Sequence, residues 1–237
     1  GRLDPMASGK LLILIGEECK AKDAYLSLDK AYRFSILLGA SSDTGDVLGL
    51  IDTDSATATP RHASSRKDLE LTMSSVDAVC SQLIGEIELP YPHFSSRTVA
   101  GKPLHTWTLE GRLDEIAIPA KQSHIYKLRC VGIEKITTDK LVAAATKKIA
   151  SLPTVTDPKK ALGNDFRRPA VLTSWDELQT SHPDTRWQIA HCTCIASSGT
   201  YMRTLAEVIA TELGTTGLAW SIHRSMIGQY QPLIGSC

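Results

Sequence analysis

Five consecutive apolar residues, Leu11, Leu12, Ile13, Leu14 and Ile15, stop at Gly16 and predict a short buried strand. Residues 17–29 then carry Ala21, Ala24, Tyr25 and Leu28 at helical spacing. Tyr32, Phe34, Ile36 and Leu38 alternate with Arg33 and Ser35, the pattern of a strand with one buried face. Residues 41–46 (Ser-Ser-Asp-Thr-Gly-Asp) predict a loop. Leu69, Met73, Val76, Cys80 and Leu83 draw an apolar stripe along residues 64–84, which predicts a helix closed by Gly85.

Between residues 90 and 119 the pattern loosens around Pro90, Pro92, Gly101, Pro103 and Gly111. An extended or mobile segment with basic and aromatic residues interleaved is expected there. Residues 124–133 read as a strand. Residues 134–186 read as an inserted excursion of partial order, with a helix over 139–150 followed by Pro153, Pro158, Pro169 and Pro183. Trp187, Ile189, His191, Thr193 and Ile195 restore strand alternation, and 197–199 (Ser-Ser-Gly) predict a turn. A helix over 201–213 then buries Leu205, Ile209 and Leu213 and ends at Gly214. Strands and helices mix without regular βαβ alternation. The fold class expected is α+β, a mixed, mostly antiparallel sheet flanked by helices.

Composition narrows the picture only in places. A chain of 237 residues with 42% hydrophobic content fits one large domain with a substantial core, or two smaller ones. The apolar run at 11–15 is far too short to span a bilayer, and no charged segment precedes an apolar one in the manner of a secretion signal. An intracellular protein is therefore expected, in the cytoplasm or alternatively in mitochondria. The six cysteines follow no disulfide framework, so reduced thiols are expected. His191, Cys192 and Cys194 offer ligand types. No second pair has zinc spacing, however, and a strand puts both cysteines on one face, so core packing and no metal are expected. With 26 basic and 26 acidic residues the net charge is zero, and an anionic partner would need a local basic surface. Candidates are Arg2, Lys10, Lys20 and Lys22, then Arg97 and Lys102, then His223 and Arg224.

Three segments carry candidate chemistry. Gly1-Arg2-Leu3-Asp4-Pro5-Met6-Ala7-Ser8-Gly9 continues to Leu14-Ile15-Gly16-Glu17-Glu18-Cys19-Lys20. Asp29-Lys30-Ala31-Tyr32-Arg33-Phe34 leads to Gly39 and Asp43-Thr44-Gly45-Asp46. Ser198-Gly199-Thr200-Tyr201-Met202-Arg203-Thr204-Leu205 opens the last helix. Taken singly, these are a turn, a strand edge and a helix start. In this order and spacing they resemble the signatures of the TruB family of pseudouridine synthases: G-x-L-D-P-x-A-T-G, D-K-x-Y-R with T-D-T-x-D, and K-G-T-Y-I-R-T-L. Weaker matches lie at Pro92-His93-Phe94-Ser95 with Gly101-Lys102, and between Leu213 and Gly228. The resemblance covers residues 1–129 and 187–230.

The resemblance implies a pseudouridine synthase catalytic fold. It also implies isomerisation of a uridine in RNA, flipped from its stack, with the T-loop of tRNA as target. A guide-RNA-dependent synthase subunit and a non-catalytic RNA-binding or RNA-folding module of the same family are the alternatives. Breaking the N-glycosidic bond and rejoining the base through C5 changes no oxidation state, so no cofactor is expected. An ionised carboxylate can attack the nucleoside or assist departure of uracil, and the resemblance assigns that role to Asp4. It assigns Arg203 the task of holding Asp4 through paired bonds. An arginine in a helix's first turn gains nothing from the macrodipole, which itself suggests a carboxylate partner. Tyr32 matches the aromatic platform for the flipped base. Tyr201 matches a second tyrosine that helps remove the C5 proton, and Lys20 a lysine near the carboxylate. Within 90–119, His105 and Trp107 are expected to stack on nucleotides while Arg97 and Lys102 touch phosphates; Arg224 completes the RNA-binding set.

Some positions depart from the family pattern. Lys10 and Leu12 replace an apolar residue and a proline, Ile222-His223-Arg224 replaces L-R-R, and residues 134–186 have no counterpart in the compact bacterial form. The segment that precedes the Asp4 signature in the family, and its small C-terminal PUA-type domain, are not in the sequence. One catalytic domain, monomeric and without membrane association, is expected. With Asp4 so near the chain start, residues 1–5 are expected to be displaced, leaving Arg203 without a well-placed carboxylate and turnover weak or absent.

Overall fold

The computed structural model describes residues 2–53, 71–156 and 165–232, apart from the side chain of Phe166. In chain order the strands and helices are β1 (Ser8–Gly9), α1 (Lys22–Leu26), β2 (Asp29–Leu38), β3 (Ser41–Ser42), β4 (Ile51–Asp52), α2 (Met73–Gln82), β5 (Gly85–Pro90), β6 (Thr98–Val99), β7 (Lys102–Pro103), α3 (Leu104–Leu109), β8 (Ala120–Thr137), α4 (Thr138–Ala150), α5 (Arg168–Ser181), β9 (Arg186–Ala196), α6 (Met202–Glu212) and β10 (Gly217–Gly228). Six strands form one sheet in the order β1-β10-β2-β9-β8-β5. Every neighbour is antiparallel except β1, which runs parallel to β10. The architecture is α+β.

Side-chain alternation on the strands feeds two cores. Phe34, Ile36 and Leu38 join Val76 and Cys80 of α2 and Met202, Leu205, Ala206 and Ile209 of α6 on one face. Leu37, Trp187, Ile189, Leu218 and Trp220 meet Leu141, Ala145 and Ile149 of α4 and Val171, Trp175 and Leu178 of α5 on the other. Burying such side chains is the main favourable contribution, on the order of 2 kcal/mol for each fully buried Leu, Ile or Phe. Helix α6 shows how the pattern works: Met202, Leu205, Ala206, Ile209 and Ala210 recur at intervals of three and four and all are buried. Cys192 and Cys194 lie in the first core, each 1% exposed, beside Cys80 and Cys130.

Several expectations need correction. Residues 11–15 form no strand; Leu11, Leu12, Ile13 and Ile15 are 43–80% exposed. Gly9 pairs with Arg224 at the sheet edge, and the chain leaves the sheet after Lys10, so no strand face receives the apolar run. The helix over 17–29 is shorter and broken, a 3-10 turn (Gly16–Ala21) followed by α1, and neither buries a residue. The segment 90–119 is ordered: β6 and β7 pair, and Trp107 of α3 is 6% exposed with its indole N–H bonded to the Val99 carbonyl at 3.0 Å. Among the described residues of 134–186, the helix expected over 139–150 is present as α4, and it packs with α5 and the end of β8 against the sheet rather than forming a loose excursion. Of the helix expected over 64–84, the structure shows Met73–Gln82; Leu69 lies outside the described residues.

Candidate active site

Arg203 sits in the first turn of α6 with its side chain 6% exposed. A buried guanidinium there is opposed by the positive end of the helix, so it needs strong acceptors. It has four bonds. Nε and Nη2 donate to the two carboxylate oxygens of Asp4 at 3.0 and 3.1 Å, a two-point fork joining residues 199 apart in sequence. Nη1 donates to the Thr44 carbonyl at 2.7 Å and Nη2 also to the Phe94 carbonyl at 3.3 Å.

The expected displacement of residues 1–5 is therefore contradicted where it matters, at Asp4. Further contacts besides the fork hold the loop. The Ala7 N–H donates to the Asp4 carbonyl at 2.9 Å, closing a turn, and the Lys10 N–H donates to the Arg224 carbonyl at 2.8 Å. Gly9 has φ +111°, and a Cβ there would collide with the Arg224 backbone, so only glycine lets β1 lie this close to β10. Proximity to a chain end does not loosen a segment whose backbone is tied down in this way.

A second carboxylate lies behind the first. Asp46 is buried, its Oδ2 stands 3.8 Å from Arg203 Nε, and its Oδ1 accepts from the Thr44 hydroxyl at 2.8 Å and the Leu48 N–H at 2.9 Å. These bonds fix the turn that aims the Thr44 carbonyl at Arg203. Burial pushes the Asp46 carboxyl above the usual range, while Arg203 and the two hydrogen bonds pull it down. Glu207, one helical turn after Arg203, is pushed up to about 7 by burial, with Arg203 opposing and Asp46 adding to the rise. A carboxyl whose folded pKa exceeds its unfolded one binds a proton more readily in the native state. Its stabilising effect is full below about 4.5 and is lost as pH rises towards 7. Glu207→Gln should therefore flatten the fall in thermal stability between pH 4.5 and 7 and raise Tm at pH 8. An unchanged profile in thermal melts across that range would contradict the assignment.

Asp4, Tyr32, Tyr201, Arg203 and Arg224 line one cavity of about 560 Å³, within the range of small-ligand sites. Tyr32 lies on β2 opposite Arg224 of β10 and Cys194 of β9. Burial raises the Tyr32 phenol above its ordinary value, partly offset by the hydrogen bond and charge of Arg224. Tyr201 precedes α6, and Tyr91 meets its ring edge-on at 5.4 Å between centroids. Burial, then Tyr91, raise its phenol. Both tyrosines hold their protons at neutral pH.

The remaining expected residues are placed differently. Lys20 is 77% exposed, pairs with Glu17 at 2.6 Å and does not line the cavity, because the 3-10 turn that carries it stands off the sheet. Arg224 is 2% exposed rather than part of an outer basic surface; its Nε donates to the Lys10 carbonyl at 2.8 Å. Lys102 is committed to Glu110 at 2.6 Å and to the Trp107 ring at 4.1 Å, so Trp107 is an internal anchor and not an open stacking platform. The imidazole of His105 contacts the Ser95 carbonyl at 3.0 Å. Arg97 stays exposed, its guanidinium 5.0 Å from the Tyr91 ring. Sequence reasoning gave no role to Lys30, Asp46 or Glu207; the first two stood inside quoted motifs, whereas Glu207 had no signal beyond its helical spacing from Arg203.

The model for "TruB family pseudouridylate synthase (N terminal domain)" matches residues 1–147. The chain belongs to the TruB family. The matched span includes Asp4, Tyr32 and Asp46, while Tyr201 and Arg203 lie beyond it. The tRNA pseudouridine synthase B of Hydrogenovibrio crunogenus is 28% identical over 228 residues, covering 96% of this chain and 54% of that protein. The tRNA pseudouridine synthase B of Aromatoleum aromaticum is 36% identical over 134 residues, 56% of this chain and 39% of that protein. A chain of a solved Cbf5-Nop10-Gar1 complex aligns with a TM-score of 0.49 and 13% identity, covering 95% of this chain and 38% of that chain. This TruB-family chain thus spans about half, or less, of the length of these relatives.

Proposed function

We propose that the chain isomerises uridine to pseudouridine in RNA, with the T-loop of tRNA as the target. The observation that carries this reading is the Asp4–Arg203 fork at the wall of a cavity that also holds Tyr32 and Tyr201. The names of the similar synthases support tRNA as the RNA class.

The fork fixes both oxygens of Asp4, while 32% side-chain exposure leaves it open to a reacting nucleoside. Its carboxylate either bonds to the nucleoside, a bond that breaks again before product leaves, or assists departure of uracil; N1 separates from C1′, the base turns, and C5 joins C1′. Tyr32 supplies an aromatic face for a base removed from its stack. The C5 proton must leave once the new bond forms. Tyr201, held as a phenol by burial, takes part as a relay: its oxygen accepts the C5 proton as its own hydroxyl proton passes to water. Arg97 and Arg224 are the basic residues of the expected RNA-binding set that this reading keeps for the strand around the target. With Asp4 in place, the ground for expecting weak turnover falls away.

The test is incubation of the protein with an unmodified tRNA transcript and mapping of pseudouridine by chemical modification. One product position in the T-loop is the expected result; tight RNA binding with no product would favour the non-catalytic alternative.

A further inference from the structure

The cavity wall beside Tyr32 contains a lysine that the chemistry above does not use. Lys30 is 6% exposed, and it lies two residues before Tyr32 on β2, so both point to the same face. Its ammonium donates to the Leu26 carbonyl at 2.8 Å, to the Leu28 carbonyl, and to the Ser198 hydroxyl at 3.1 Å. These acceptors are neutral: they solvate the charge without cancelling it. The neighbouring carboxylate of Asp29 is engaged by the Tyr126 hydroxyl at 3.3 Å and the Tyr230 N–H at 2.8 Å. Arg224, the cross-strand partner of Tyr32, lies in the same wall with its own bonds to the Lys10 carbonyl and the Tyr32 hydroxyl.

Two cations held in one poorly solvated wall destabilise each other. Burial first, and then the charge of Arg224, lower the Lys30 pKa, and the charge of Asp29 offsets part of this. An anion between them relieves both. Two strand residues span about 7 Å, similar to the reach from base to phosphate within one nucleotide. A base on Tyr32 would therefore bring a phosphate towards Lys30.

We propose that Lys30 and Arg224 form a phosphate subsite that takes a phosphodiester of the strand entering the cavity. The inference rests on the reading of the substrate as RNA. A phosphate oxygen replaces the Ser198 hydroxyl on the ammonium, and Ser198 keeps its bond to the Leu26 carbonyl.

The test measures affinity for an unmodified hairpin RNA with a uridine-containing loop across a series of salt concentrations. Lys30→Gln keeps a hydrogen-bond donor for the carbonyls and removes the charge. It should lower the slope of log affinity against log salt by about one, with affinity down about tenfold at low salt. Lys30→Arg should keep the wild-type slope. An unchanged slope in Lys30→Gln overturns the subsite, and so does an equal change in Ser198→Ala, which would assign the effect to the tether. Should Lys30→Gln fail to fold, Arg224→Gln carries the same slope test. Pseudouridine formation by the wild type on the same hairpin separates the two readings. Product with an unchanged slope overturns the subsite alone, and a changed slope without product overturns the reaction alone.

Discussion

Asp4→Asn is expected to lower pseudouridine formation by at least about 10⁴-fold, the order seen when a covalent nucleophile is removed, while RNA affinity stays within a few-fold. The amide keeps the shape of the carboxylate and one acceptor for Arg203, so the cavity should persist. It lacks the second carboxylate oxygen that the proposed mechanism uses to attack the nucleoside or assist the leaving base. The fork becomes a single bond, and Arg203 keeps its bonds to the Thr44 and Phe94 carbonyls and its neighbour Asp46. Single-turnover rates on a tRNA transcript, with binding measured in parallel, check this. Turnover within tenfold of wild type would remove Asp4 from the reaction.

Arg203→Lys keeps the charge and is still expected to cost about 10²-fold or more, the usual effect of misplacing a reacting group by an ångström. A lysine cannot make the planar two-point grip or span the Thr44 and Phe94 carbonyls at the same time. Each buried acceptor left unpaired costs about 1–3 kcal/mol, so denaturant unfolding should show a stability loss of that order. A lysine variant with normal rate and stability would show that charge alone suffices and that the fork geometry is incidental.

Local pattern and long-range assembly divided the legibility of the fold. The alternation at 32–38 and the spacing in 201–213 identified β2 and α6, because each buries a face set by its own periodicity. Strand β10 was not identified: Leu218, Ala219, Trp220 and Ile222 are all buried, with a register shift between Ala219 and Ser221, so period-two alternation is lost. Strand β5 shows exposed Glu86 and Glu88 against Leu89, but it follows α2 so closely that its start was read only as a helix stop. Apolar composition misled at 11–15, where burial depends on a neighbouring strand that the chain does not meet.

The site was legible only through motif resemblance. Asp4 and Arg203 are 199 residues apart, and no local pattern links them. Lys30 stood inside a motif without a role, since one of its ammonium's partners, Ser198, lies 168 residues away. Trp107 looked like a stacking surface because an aromatic among basic residues is ambiguous until its indole partner, the Val99 carbonyl, is known.

We propose the Asp4–Arg203 pair as the reaction centre of a uridine isomerisation. When C5 replaces N1 at the sugar, the hydrogen on C5 passes to water. The most direct measurement is therefore tritium release from tRNA transcript labelled at uridine C5, with wild type and Asp4→Asn side by side. Release of one tritium per tRNA by wild type and none by Asp4→Asn is expected. No release by a folded, RNA-binding wild type, or equal release by both proteins, would contradict the account.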